Sequence, residues 1–101
     1  MGFAPERADV YWAIADQTRR ALLSRLATEG PKNVSELLEP FPISQPAVSK
    51  HLRILRDAGL VRSRKEGRLR VYELEVDKLR QVFDWVSDFE RYCDEKLDPL
   101  G

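Results

Sequence analysis

Residues 44–61 read SQPAVSKHLRILRDAGLV, and the fold turns on how this stretch folds locally. Ser44 offers an N-cap oxygen, Pro46 sits in the first turn where a missing N–H costs nothing, and Gly59 stands where a left-handed residue ends a helix. The spacing therefore predicts a helix from Gln45 to Ala58, with Leu60 folding back onto Leu55 as the hydrophobic contact of the cap. At about 100° per residue, Val48, Leu52 and Leu55 share one sector, while Pro46, Lys50, Arg53 and Asp57 lie opposite with Ser49 beside them. One face is core and the other is free to touch a partner.

Upstream, Val10, Tyr11, Ile14 and Ala15 suggest a first helix. Asp16 then caps a second helix carrying Ala21, Leu22, Leu23, Leu26 and Ala27, which Gly30-Pro31 stops. Asn33 caps a short third helix through Val34, Leu37 and Leu38, ended by Pro40 and Pro42. Downstream, two β-leaning runs, Val61 to Arg64 and Leu69 to Leu74, flank Lys65-Glu66-Gly67-Arg68, the pattern of a hairpin with a glycine-containing turn. A last helix is expected from near Asp77 to about Leu97. Leu79, Val82, Phe83, Val86 and Cys93 form one stripe on it, and Trp85, Phe89 and Tyr92 form a second.

The expected class is α+β and mostly helical, a winged helix-turn-helix of about five helices and a β-hairpin wing. With 101 residues and no linker or internal repeat, the chain reads as a single domain over residues 1–101. A domain of this size buries only about 60–65% of its unfolded surface, so a core shared with a second copy would help it. One core rarely needs both apolar stripes of the last helix. Trp12, Trp85, Phe89 and Tyr92 are therefore the expected contacts of a homodimer formed by the first and last helices.

Formal charge sums to zero, but its distribution is uneven. From Ser44 to Tyr72 eight basic residues face two acids, a formal +6, whereas from Glu73 to Gly101 nine acids face four bases, a formal −5. The first segment suits a polyanion. A helix fits the major groove of duplex DNA, where Gln45 can pair with adenine and Ser49 can approach most bases. Ser44, Gln45, Pro46, Ser49, Lys50 and Arg53 are thus the candidate reading residues, and Arg64, Lys65, Arg68 and Arg70 the candidate wing contacts to phosphate or minor groove.

No apolar run approaches the roughly 20 residues of a membrane helix, and Met1 to Ala8 lacks the apolar stretch of a signal peptide. The single cysteine, Cys93, excludes an intrachain disulfide. A cytoplasmic setting with no membrane partner is expected. No nucleophile–base pair, cofactor motif or metal-ligand pair stands at useful spacing, which argues against an enzyme. His51, the only histidine, lies at the edge of the apolar sector and is expected to be packed or backbone-bonded. Cys93 beside Asp94 and Glu95 reads as inert. Arg19 and Arg20, in the first turn of a helix where cations are disfavoured, could pair with Asp16 or meet phosphate. The sequence does not separate these two readings.

The stretches ADQTRRALLSRL, ISQPAVSKHLRILRDAGLV and RSRKEGRLRVYELE resemble the ArsR-type family of bacterial winged-helix repressors, and the tail LRQVFDWVSDFERYCDEKLDPL resembles its autorepressor subgroup. The resemblance implies a recognition helix from Gln45 to Ala58, a hairpin wing, and dimeric operator binding. It also marks departures. The metal sensors of that family carry a Cys-x-Cys-type site before the recognition helix or His and Asp ligands on the last helix. This chain reads NVSELLEPF at the first place and has no histidine at the second. Gln17 also replaces a proline frequent after the aspartate cap. The alternatives to a DNA-binding repressor are a winged helix serving as a protein-interaction module, and a metal-responsive repressor with a site shared between subunits. A nonbasic wing and an apolar recognition face would favour the module.

Overall fold

The computed structural model describes residues 9–39 and 42–97. In chain order it contains α1 (Val10–Ala13), α2 (Gln17–Glu29), β1 (Lys32–Asn33), α3 (Val34–Leu38), α4 (Gln45–Asp57), β2 (Val61–Glu66), β3 (Leu69–Leu74), α5 (Leu79–Ser87) and α6 (Glu90–Leu97). The three strands form an antiparallel sheet in the order β1-β3-β2.

Local chemistry sets most of these boundaries. Asp16 accepts the Arg19 N–H at 3.0 Å to start α2, and Gly30 ends it at φ 86°. Asn33 and Glu36 form a reciprocal capping box on α3, each side chain accepting the other's backbone N–H at 2.9 Å. Arg25 of α2 donates to the Glu36 and Leu37 carbonyls at 3.1 and 3.3 Å, satisfying the far end of that one-turn helix. Ser44 caps α4 through the Ala47 N–H at 3.3 Å. At its other end Gly59 (φ 79°) donates to Arg56 O at 3.0 Å and Leu60 to Leu55 O at 2.9 Å, the paired bonds of a Schellman cap. Glu75 N–H then bonds Leu60 O at 2.8 Å, pinning the base of the hairpin to the end of α4.

The core lies between α2, α3, α4 and the base of the sheet. Leu22, Leu37, Val48, Leu52, Leu55 and Leu60 are fully enclosed there, so the inward face of α4 is the one its sequence spacing assigns. Pro40, expected with Pro42 to end α3, lies outside the described residues.

Three features depart from the sequence expectation. The first is β1, two residues that pair Lys32 with Tyr72 and Asn33 with Val71. A strand this short has no periodicity to detect.

The second is the hairpin turn. Lys65 and Glu66 belong to β2, and Glu66 pairs with Leu69, leaving only Gly67 and Arg68 in the loop. Gly67 has φ 66° and no non-glycine residue has positive φ among the described residues, the pattern of a II′ turn.

The third is the last helix. It starts at Leu79 without a side-chain cap from Asp77, and it is broken between Ser87 and Glu90, which makes six helices among the described residues. There Asp88 and Phe89 donate to the carbonyls three residues back, at 3.2 and 2.9 Å. Ser87 Oγ bonds back to Phe83 O at 2.8 Å, a contact that bends helices. Helical bonding resumes with Cys93 N–H to Phe89 O at 2.9 Å. Of the stripe expected to face inward, Leu79 and Val82 pack on the core, but Phe83 (68% exposed), Val86 and Cys93 do not.

Candidate nucleic-acid interface

Helix α4 is fixed from behind by enclosed Val48, Leu52 and Leu55, and its opposite face carries Gln45, Pro46, Ser49, Lys50 and Arg53, all exposed. Pro46, Ser49, Lys50 and Arg53 together line one open depression of about 410 Å³. Ser44 is exposed too, but its oxygen is committed to the helix cap. Among the described residues no carboxylate forms an ion pair with Lys50 or Arg53.

Strand alternation divides the wing into two faces. On one, Arg62 pairs with Glu75 and Glu73 at 3.2 and 3.4 Å, and Arg64 pairs with Glu66 at 2.9 Å and with Glu73. The hydrogen bonds that Arg64 donates to Glu66, with further attraction from Glu73, hold the Arg64 proton more tightly than usual. This face is close to neutral. On the other, Lys65 stands directly across from Arg70, a like-charge pair that costs a few tenths of a kcal/mol in a sheet. Arg70 donates to Ser63 Oγ at 3.0 Å, Arg68 occupies the turn, and no described carboxylate lies within ion-pair reach of Lys65, Arg68 or Arg70. The expected four-cation wing therefore resolves into three available cations and one, Arg64, already satisfied. Arg64→Ala is expected to change the slope of log affinity against log salt by less than half the change caused by Arg68→Ala, because a cation with two carboxylate partners releases few counterions. Equal slopes from the two variants would contradict this division.

The residues expected at a dimer contact separate in space. Trp85 (54% exposed) and Phe89 (47%) stack edge to face at 5.4 Å, and Tyr11 of α1 adds a third ring at 6.0 Å from Trp85. Tyr11 Oη also donates to Gln81 O at 3.2 Å, tying α1 to α5. Trp12 is exposed on another side of α1, under the Arg19 guanidinium at 4.8 Å. Tyr92 is 62% exposed on α6. Sequence reading singled out Trp12 and passed over Tyr11 because a four-residue helix is too short for periodicity to rank its faces.

Arg19 and Arg20 both reach back to the end of α1. Arg19 Nε donates to Ala13 O at 2.7 Å and Nη2 to Trp12 O at 3.3 Å, while Arg20 Nη1 donates to Ile14 O at 2.8 Å. They are cations at the C-terminus of α1, supplied from the next helix, where the dipole favours them. His51 is half-buried, with its ring against the Arg19 side chain rather than against backbone. Among the described residues no group of three or more His, Cys, Asp or Glu converges on a point that could hold a metal, and no helix is long and apolar enough to cross a membrane.

A capped helix presenting polar and cationic side chains, set beside a basic hairpin with a two-residue loop, is the architecture of a winged helix-turn-helix. Residues 16–63 match the model of the bacterial regulatory protein, arsR family. The chain is 50% identical over 89 residues to the HTH-type transcriptional regulator Rv2034 of Mycobacterium tuberculosis, covering 88% of this chain and 78% of that protein. It is 33% identical to the transcriptional repressor SdpR of Bacillus subtilis, covering 88% of this chain and 98% of that one. The crystal structure of the ArsR family transcriptional regulator RHA00566 superposes with a TM-score of 0.72 at 38% identity, over 83% of this chain and 91% of the other. The chain belongs to the ArsR family and is a DNA-binding transcriptional regulator.

Proposed function

We propose that two copies of the chain, each a single domain over residues 1–101, pair through α1 and the last helices and bind a palindromic promoter operator, repressing by occlusion. Each α4 enters a major groove with Gln45, Pro46, Ser49, Lys50 and Arg53 toward the bases, Ser44 holding its N-terminus. Each wing lays Lys65, Arg68 and Arg70 along the flanking backbone or minor groove. The setting is the cytoplasm, where the DNA is.

The observation that carries this reading is the pairing of an exposed polar face on α4 with a wing face whose cations have no described carboxylate partners. Support for the dimer comes from α5, in which no residue is buried although Phe83, Trp85 and Val86 are large and apolar. The radius of gyration, 16.1 Å, also exceeds the roughly 13 Å of a compact domain of about 100 residues. A relative named as a repressor supports the sign of regulation.

Selecting duplexes from a randomised pool with the purified full chain tests the reading. The enriched sequence should be two-fold symmetric, with half-sites about one helical turn, roughly 10 bp, or a multiple of it apart. Enrichment of no sequence, or of one unsymmetrical half-site, would overturn it. The promoter of the chain's own gene is the first natural duplex to footprint, given the resemblance to the autorepressor subgroup.

A further inference from the structure

Arg19 is the one charged or polar side chain counted as buried among the described residues, at 7% exposure. Burying a guanidinium is costly unless its donors are satisfied, and an apolar residue of similar volume is often at least as stabilising. Its donors join three places. Two reach the Ala13 and Trp12 carbonyls at the end of α1, and the third, Nη1, lies 3.4 Å from His51 Nδ1 in the middle of α4. The Trp12 ring covers its face at 4.8 Å. Beside the same imidazole nitrogen, at 4.0 Å, stands Asp16 Oδ2. The Arg19 backbone N–H, helped by the Arg19 charge, holds the Asp16 carboxyl below its ordinary range.

We propose that Arg19 is a positioning residue for DNA reading, a strut that sets α4 against α1 through the neutral imidazole of His51 and is released when that ring is protonated. The inference rests on α4 being the reading helix. Arginine has no acceptor, so its bond to His51 requires a bare Nδ1 and places the ring hydrogen on Nε2. A proton added at Nδ1 turns the acceptor into a donor and sets two cations 3.4 Å apart. The ring then has Asp16 as its partner, and α4 is tied to the cap of α2 instead of the end of α1. The groups facing the ring from α2 are Asp16 and Arg19, and α1 reaches it only through Arg19. Among the described residues no hydrogen bond or ion pair joins it to α3 or β2. His51 is the only histidine in the chain, so a pH effect on an imidazole falls on this ring.

The test measures binding to a duplex enriched by the wild-type chain and to a scrambled duplex, at about pH 7.5 and about pH 5.5. A charge gained near DNA tightens binding to both duplexes, whereas a lost strut weakens only the enriched one. The ratio of the two affinities should therefore fall about fivefold or more at the lower pH in the wild type, the worth of one hydrogen bond. His51→Gln keeps an acceptor that cannot charge and should show the same ratio at both values. Arg19→Lys keeps the charge but loses the fork, so its ratio should be low at both, its melting being followed alongside so that the ratio is read where the fold is intact. A flat wild-type ratio overturns the inference, as does a His51→Gln ratio that falls like the wild type. If no duplex is enriched at all, the DNA reading fails first and this inference with it.

Discussion

On the proposed assembly, Phe89→Asp is expected to turn the dimer into a monomer at micromolar concentration and to weaken operator binding by about a hundredfold or more. Phe89 sits edge-on to Trp85, which in turn meets Tyr11, so the three rings form one apolar surface across α1, α5 and the break before α6. A carboxylate placed there would be desolvated with no partner if two copies closed over it, a cost of several kcal/mol. The site is half exposed in the single chain, so folding itself should survive. Separated half-site readers lose the effective concentration that the dimer supplies, and that loss sets the size of the effect. Light scattering should fall from twice the chain mass of 11.7 kDa to the chain mass itself. A Phe89→Asp protein that remains dimeric and binds as tightly would place the interface elsewhere.

Leu52→Ala is expected to cost about 2–5 kcal/mol of stability, a large part of the roughly 5–15 kcal/mol typical of a whole domain. Leu52 is fully enclosed at the centre of the inward face of α4, where Leu22, Leu37, Leu55 and Leu60 are also fully enclosed, and a rigid surround of that kind collapses poorly around a cavity. The midpoint of thermal unfolding should drop by more than about 10 °C. Leu69→Ala, at an exposed wing position, should stay within about 0.5 kcal/mol of the parent and serves as the control. Similar losses from both would mean that the enclosed face of α4 is not what holds the fold.

Helix α4 was legible in the sequence because every signal that fixes it is local: Ser44, Pro46, Gly59 and the spacing of Val48, Leu52 and Leu55. Asp16 and Asn33 were legible as caps for the same reason. What escaped depended on register or on contacts distant in sequence. Placing Lys65 and Glu66 in the turn hid the pairing of Arg62 with Glu73 and Glu75 and of Arg64 with Glu66 and Glu73, since faces are assigned only once the register is known. The link from Arg19 to His51 spans 32 positions, and neither residue type announces it. The break at residues 88–89 follows a serine whose hydroxyl bonds back to its own helix, and Ser87 alone gives little warning of it.

The division of labour between α4 and the wing is tested most directly by salt titrations of Gln45→Ala and Arg68→Ala on the enriched and the scrambled duplex. Gln45→Ala should cost about 1–3 kcal/mol per half-site on the enriched duplex and little on the scrambled one, with the salt slope unchanged, if its amide makes a bidentate contact to a base. Arg68→Ala should weaken both duplexes alike and lower the slope of log affinity against log salt by about 1.8, one phosphate in each of two subunits. Gln45→Ala weakening both duplexes equally with a reduced slope would contradict base reading by α4. Full-strength binding by both variants would show that the DNA surface lies elsewhere on the molecule.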